Sequence, residues 1–100
     1  MDKSLYSFLG LAAKAGKVKT GEELVLKHIR NQTVHLVLVA NDASKNTIKK
    51  ICDKSSYYQV PCRVVGEREK LGLAIGKQSR VVLGITDKGF AERLITMLDQ

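Results

Sequence analysis

The 100-residue sequence has no tryptophan, one proline and five aromatic residues in all. That scarcity excludes proline-rich recognition segments and an extended aromatic platform for stacking single-stranded bases. Cysteine is nearly absent too. Cys52 and Cys62 lie ten positions apart, which makes neither a Cys-x-x-Cys redox pair nor half of a four-ligand zinc site. They read as two free core thiols in a reducing cytoplasm, and no metal or cofactor is expected. No apolar run approaches the roughly 20 residues of a membrane helix. Leu5 to Ala13 is a short apolar stretch, and Ala13-Lys14-Ala15 mimics a small-x-small cleavage site, but Asp2 offsets Lys3 and removes the positive leader of a signal peptide. Leu5, Phe8, Leu9 and Ala12 instead follow the i, i+3, i+4, i+7 spacing of an amphipathic helix. The expected location is the cytoplasm.

What is present is a core and a charge. A 44% hydrophobic fraction supports a single folded domain over residues 1–100, expected to be a monomer. Seventeen Lys and Arg against ten Asp and Glu leave a net charge of +7, which points to a polyanionic partner.

Helical and strand signals alternate along the chain. Gly16 ends the first helix, and Lys17-Val18-Lys19 reads as a connector. Thr20-Gly21-Glu22-Glu23 has the form of a capping box, with Thr20 as N-cap, opening a helix to about Asn31 that buries Leu24, Val25 and Ile29. Val34 to Ala40 is a nearly continuous apolar run, as in a strand covered on both faces. Asn41 to Ser44 is a turn and cap before a helix with Ile48, Ile51, Cys52 and Ser55 inward and Lys49, Lys50, Asp53 and Lys54 outward. Pro61 to Val65 is a strand. Gly66-Glu67 opens a helix carrying Leu71, Ala74 and Ile75, Arg80 to Ile85 is a strand, and Thr86-Asp87 begins the last helix. The alternation implies an α/β fold, a three-layer α/β/α sandwich with a small, mixed, mainly parallel sheet.

Catalytic patterns fail one by one. Gly72 to Gly76-Lys77 has three residues between its glycines where a phosphate loop needs four, and Gln78 stands where that loop has Ser or Thr. Gly72 and Gly76 fit close packing and a helix C-cap instead. His28 and His35 have no nucleophile or carboxylate placed beside them by spacing. The expected protein is not an enzyme.

The basic segment is more informative. Lys14, Lys17, Lys19, Lys27 and Arg30, opposed by Glu22 and Glu23, give residues 14–30 a local charge of +3. Thr20, Glu23, Lys27 and Arg30 recur at helical spacing beside a helix N-terminus, whose free N–H groups suit phosphate. A solvated helix face with an ordinary cap would look the same, and the residues alone fit both. If the face is a site, Glu23 among lysines is an acceptor for base amino or imino groups, while the lysines hold phosphate.

Gly16-Lys17-Val18-Lys19-Thr20-Gly21, continued by Glu22 to Lys27, resembles the Gly-Lys-[Ile/Val]-x-x-Gly…Lys segment of the L7Ae ribosomal protein family. Val37 to Ser44, Tyr58-Gln59-Val60-Pro61 and Leu71-Gly72-Leu73-Ala74-Ile75-Gly76 match that family in order, so the likeness spans nearly the whole chain. The resemblance implies the sandwich and binding to kink-turns, sharply bent RNA internal loops with tandem sheared G·A pairs. It implies that Gly21 permits close approach, that Lys17 and Lys27 keep basic positions, that Asp42 is the acid after the central strand, and that Lys77-Gln78-Ser79-Arg80 covers a flipped-out nucleotide. Glu23 stands where the family has asparagine and Leu24 where it has glutamate, and the loop lacks its usual apolar character. The expected partner is structured RNA, ribosomal or messenger, contacted by Lys17, Lys19, Thr20, Gly21, Glu22, Glu23, Lys27, Arg30, Asp42, Lys77, Gln78, Ser79 and Arg80. The alternative is a ribosome-associated protein-interaction or assembly factor without specific RNA readout.

Overall fold

In a computed structural model, residues 3–100 are described. Nine elements follow one another: α1 (Lys3–Lys14), β1 (Val18–Thr20), α2 (Glu22–Arg30), β2 (Leu36–Val39), α3 (Lys45–Tyr57), β3 (Cys62–Val64), α4 (Arg68–Ala74), β4 (Val82–Ile85) and α5 (Lys88–Leu98). The strands form one sheet in the order β1-β4-β2-β3.

Side chains of a strand alternate between faces, and β2 shows what that does here. Leu36 and Leu38 join Leu5, Leu9, Leu71, Leu83, Ile85 and Leu94 in a core under α1, α4 and α5. Val37 and Val39 point the other way and pack with Val25, Ile29 and Ile51 under α2 and α3. Every residue of β2 and β4 is buried, as the continuous apolar runs require of strands sandwiched between helix layers. Burying one such side chain contributes about 1.5–3 kcal/mol. The three-layer α/β/α architecture is therefore the expected one.

Strand direction differs from expectation. β2 and β3 pair parallel, but β4 pairs antiparallel with both β1 and β2. β1, β2 and β3 thus run one way, and β4, wedged between two of them, runs the other, so the sheet is mixed but not mainly parallel. The cause lies in α4. This seven-residue helix runs out and the following loop runs back, so that the Arg80 N–H reaches the Arg68 carbonyl at 3.0 Å. The connection leaves and re-enters the sheet at the same end, whereas α3, with 13 residues, carries the chain back along the sheet's length.

Three local readings also change. Lys17-Val18-Lys19 is not a connector: Val18–Thr20 is an edge strand, with Val18 opposite Ile85 and Thr20 opposite Leu83. Three residues are too few to show a strand period, and pairing with β4 decides the matter. Thr20 is not an N-cap, because it ends β1; Gly21 takes the cap position without a side-chain cap bond. Along α2, Val25, Leu26 and Ile29 are buried and Leu24 is 43% exposed. The other caps fall where expected: Ser44 Oγ accepts from the Thr47 N–H at 3.1 Å and the Asp87 carboxylate from the Phe90 N–H at 2.8 Å.

Gly72 fixes the return loop against α4. A Cβ there would lie 1.8 Å from the Gln78 carbonyl oxygen and 2.6 Å from its carbon, and backbone cannot swing aside as a side-chain tip can. Gly72→Ala is expected to destabilise the fold by about 1–3 kcal/mol, the usual range for overpacking, read as a lower urea midpoint. A loss under about 0.5 kcal/mol, typical of surface changes, would mean that the loop is not held there.

Candidate nucleic-acid interface

β1, β2 and β3 all point their C-terminal ends to one edge of the sheet, so α2, α3 and α4 all begin there. β4 begins there as well, which brings the 75–81 loop to the same place. Gly21 and Glu22 of the α2 start, Thr47 of the first turn of α3, and Ser79, Arg80, Val81 and Val82 line one open cleft.

The joint between β1 and α2 is a single residue. Gly21 has φ 99° and ψ 144°, a region almost confined to glycine, and its N–H donates to the Val82 carbonyl at 3.1 Å. With no side chain capping α2, the first-turn N–H groups of Glu22, Glu23 and Leu24 face outward with the positive end of the helix dipole. The two glutamates differ. Glu22 is half-buried and pairs with Lys50 of α3 at 3.3 Å; Glu23 is exposed, and neither it nor Lys27, one turn later, makes an ion pair among the described residues.

Ser79 stands across the cleft, and Lys77, Gln78 and Ser79 are exposed along the loop, which a tight turn begins: the Lys77 N–H donates to the Gly72 carbonyl at 2.9 Å. Arg80 shapes the rest. Its guanidinium donates to Thr20 Oγ1 at 3.3 Å and to the Ser79 carbonyl at 2.9 Å. Arg68, whose carbonyl receives the Arg80 N–H, donates its own N–H to the Asp42 carboxylate at 3.0 Å, and its guanidinium contacts the same aspartate at 3.4 Å. Asp42, Arg68, Arg80 and Thr20 therefore form one polar chain tying four segments together beneath the cleft.

The expected site residues divide accordingly. Gly21, Glu22, Ser79 and Arg80 line the cleft together; Glu23 and Lys27 are exposed further along α2, and Lys77 lines a separate pocket with Lys14, Val18 and Thr20. Thr20 and Asp42 belong to the supporting chain; the Asp42 carboxylate is taken up by Arg68. Lys17 and Arg30 sit apart: Lys17 precedes β1 at the far edge of the sheet, where its carbonyl accepts from the Thr86 N–H at 2.9 Å, and Arg30 ends α2, about 12 Å along the helix from its start. Lys19 is half-buried in β1 opposite Gly84. Thr47, Lys50 and Arg68 were not read as site residues. Lys50 looked like part of a solvated face because its partner, Glu22, is 28 positions away.

The chain matches the model of the Ribosomal protein L7Ae/L30e/S12e/Gadd45 family over residues 3–95. It belongs to that family. It is 53% identical over 94 residues to the RNA-binding protein YlxQ of Bacillus subtilis (strain 168), covering 94% of each chain. Among solved structures it resembles a Bacillus halodurans C protein of unknown function at a TM-score of 0.96 and 46% identity, covering 99% of this chain and 100% of that one. It also resembles the Giardia lamblia 15.5kD RNA binding protein at a TM-score of 0.84 and 18% identity, covering 99% and 91%; at that identity the likeness speaks for the fold alone.

Because the Gly21 conformation, and not crowding, demands glycine (a Cβ there would meet nothing within 4 Å), Gly21→Ala tests backbone strain directly. It is expected to cost about 1–3 kcal/mol of stability, measured by urea unfolding. A change under about 0.5 kcal/mol would show that the joint relaxes freely.

Proposed function

We propose that this chain binds structured RNA at the cleft between the start of α2 and the 77–80 loop, and that its preferred target is a kink-turn or a similarly bent element of ribosomal or messenger RNA. The observation that carries this reading is the uncapped first turn of α2, with Glu23 and Lys27 unpaired among the described residues beside it and a cationic loop opposite. Membership of the family and the likeness to a relative named as RNA-binding support it.

In this reading, Lys27, Lys77 and the first-turn N–H groups take phosphate oxygens, which position the RNA without reading its sequence. Glu23 accepts from base donors, a role no lysine can fill. Gly21 leaves room for the RNA backbone, and Lys77 to Arg80 close over an extruded nucleotide. This reading calls for no catalytic step. The protein acts by binding the bent conformer more tightly than the extended one and so shifting its population.

One observation favours a second reading, a ribosome-associated interaction factor without RNA readout: Leu24 is an exposed apolar side chain in the first turn of α2. A single experiment separates the two. Affinity is measured for a standard kink-turn and for the same RNA with its G·A pairs disrupted, at about 150 mM salt, where exposed charges are screened beyond roughly 8 Å. Clear preference for the intact element supports shape-specific recognition; equal, salt-sensitive binding to both removes it and favours the interaction factor. Lys27→Ala is expected to weaken binding by about 1–3 kcal/mol if the lysine reads a base, or to lower affinity for all RNAs and reduce the salt slope by about one if it holds phosphate. Unchanged affinity would take α2 out of the interface.

A further inference from the structure

Cys52 and Cys62, ten residues apart in the chain, meet in space. Cys52 lies on α3 and Cys62 opens β3, and their Sγ atoms stand 3.2 Å apart in a half-buried contact. We propose that this pair is an oxidisable dithiol, which closes to an intramolecular disulfide by exchange with a low-molecular-weight disulfide such as oxidised glutathione. A disulfide bond is about 2.05 Å long, so the sulfurs need approach by only about 1 Å more.

The exchange balances in two steps. One thiol of the pair, as thiolate, attacks one sulfur of the small disulfide; the mixed disulfide forms and one small thiolate leaves. The other thiol then loses its proton and attacks the first cysteine's Sγ, expelling the second small thiolate. The protein gives up two electrons and two protons, and the reagent is reduced to two thiols. Burial, reinforced by the hydrogen bond with Cys52, pushes the Cys62 thiol up to about 12, which slows the exchange near neutral pH without preventing it.

The position gives the bond a mechanical role. β3 is an edge strand that, among the described residues, pairs only with β2. A covalent link closing the turn from Tyr57 to Pro61 would staple that edge to α3, and it would restrict the unfolded chain. Cys52 lies eight residues beyond the Ser44 cap, about 12 Å along α3, so the link forms away from the cleft and changes no charge there.

The test treats the purified full-length chain with excess oxidised glutathione and follows intact mass, free thiols and melting temperature. Expected are loss of both thiols, a mass lower by about 2 Da with no retained glutathione, a monomer on a non-reducing gel, reversal by dithiothreitol, and a melting temperature above that of the reduced chain. Two thiols persisting in the folded protein, a stable glutathione adduct or an interchain dimer would each overturn the proposal. So would an oxidised form that melts below the reduced one, because the bond would then form only at the expense of the native contact. Either single variant, Cys52→Ser or Cys62→Ser, should keep a glutathione adduct where the unaltered chain keeps none, and a variant that sheds the adduct without added thiol would overturn the proposal.

Discussion

The opposed direction of β4 is the constraint on which the rest of this structure depends. Three strands running one way bring three helix starts to one edge of the sheet. A fourth running the same way would have begun at the other edge and taken its preceding loop with it. Because β4 is inserted in reverse, between β1 and β2, the segment before it must return to the edge where α2 and α3 begin. Clefts at the carboxyl ends of parallel strands are common binding places in α/β sheets, and here the antiparallel strand supplies the missing wall.

That wall needs holding, since residues 75–81 are a loop with few apolar side chains to bury. The chain from Asp42 through Arg68 and Arg80 to Thr20 does so with side chains that are all at least partly exposed. Individually such contacts are weak, about 0–1 kcal/mol for a surface ion pair. Their value lies in number and geometry: one arginine spans the loop and the end of β1, and the other spans α4 and the turn after β2. Gly72 adds a steric stop from below. The loop is thus placed by backbone approach and guanidinium forks, a use for which arginine's rigid, multiply donating head is better suited than lysine's.

These relations also explain what could be read in advance. Residues buried on both faces, such as Leu36 to Ala40, announced their strand because burial leaves a long apolar run. The caps at Ser44 and Asp87 were legible because a cap is a local bond between neighbours in sequence. The direction of β4 was not, since hydrophobic alternation is the same in parallel and antiparallel strands, and β1 was too short to show a period. The site divided along the same line. Gly21, Glu23, Lys27 and the 77–80 loop stood out by local spacing and by resemblance. Arg68 and Lys50 did not, because their partners Asp42 and Glu22 lie 26 and 28 positions away. The cysteine pair escaped for a related reason: a ten-residue separation carries no signature until a helix and a strand are laid side by side.

The adjacent glutamates show how far packing refines composition. In sequence, Glu22 and Glu23 are equivalent anions that partly cancel a basic segment. In the fold, Lys50 neutralises Glu22 and Asp42 neutralises Arg68, which leaves Glu23 without an ion pair among the described residues, with Lys27 one turn further along α2. A ligand that offered only phosphates would meet repulsion at Glu23 and gain nothing from it. A ligand that offered phosphates to the lysines and a hydrogen-bond donor to the carboxylate would satisfy both, and at an uncapped helix start the carboxylate is itself stabilised by the dipole. On the proposed binding role, that charge pattern would favour a nucleic acid whose base edges are within reach over a generic polyanion, a distinction net charge alone does not make.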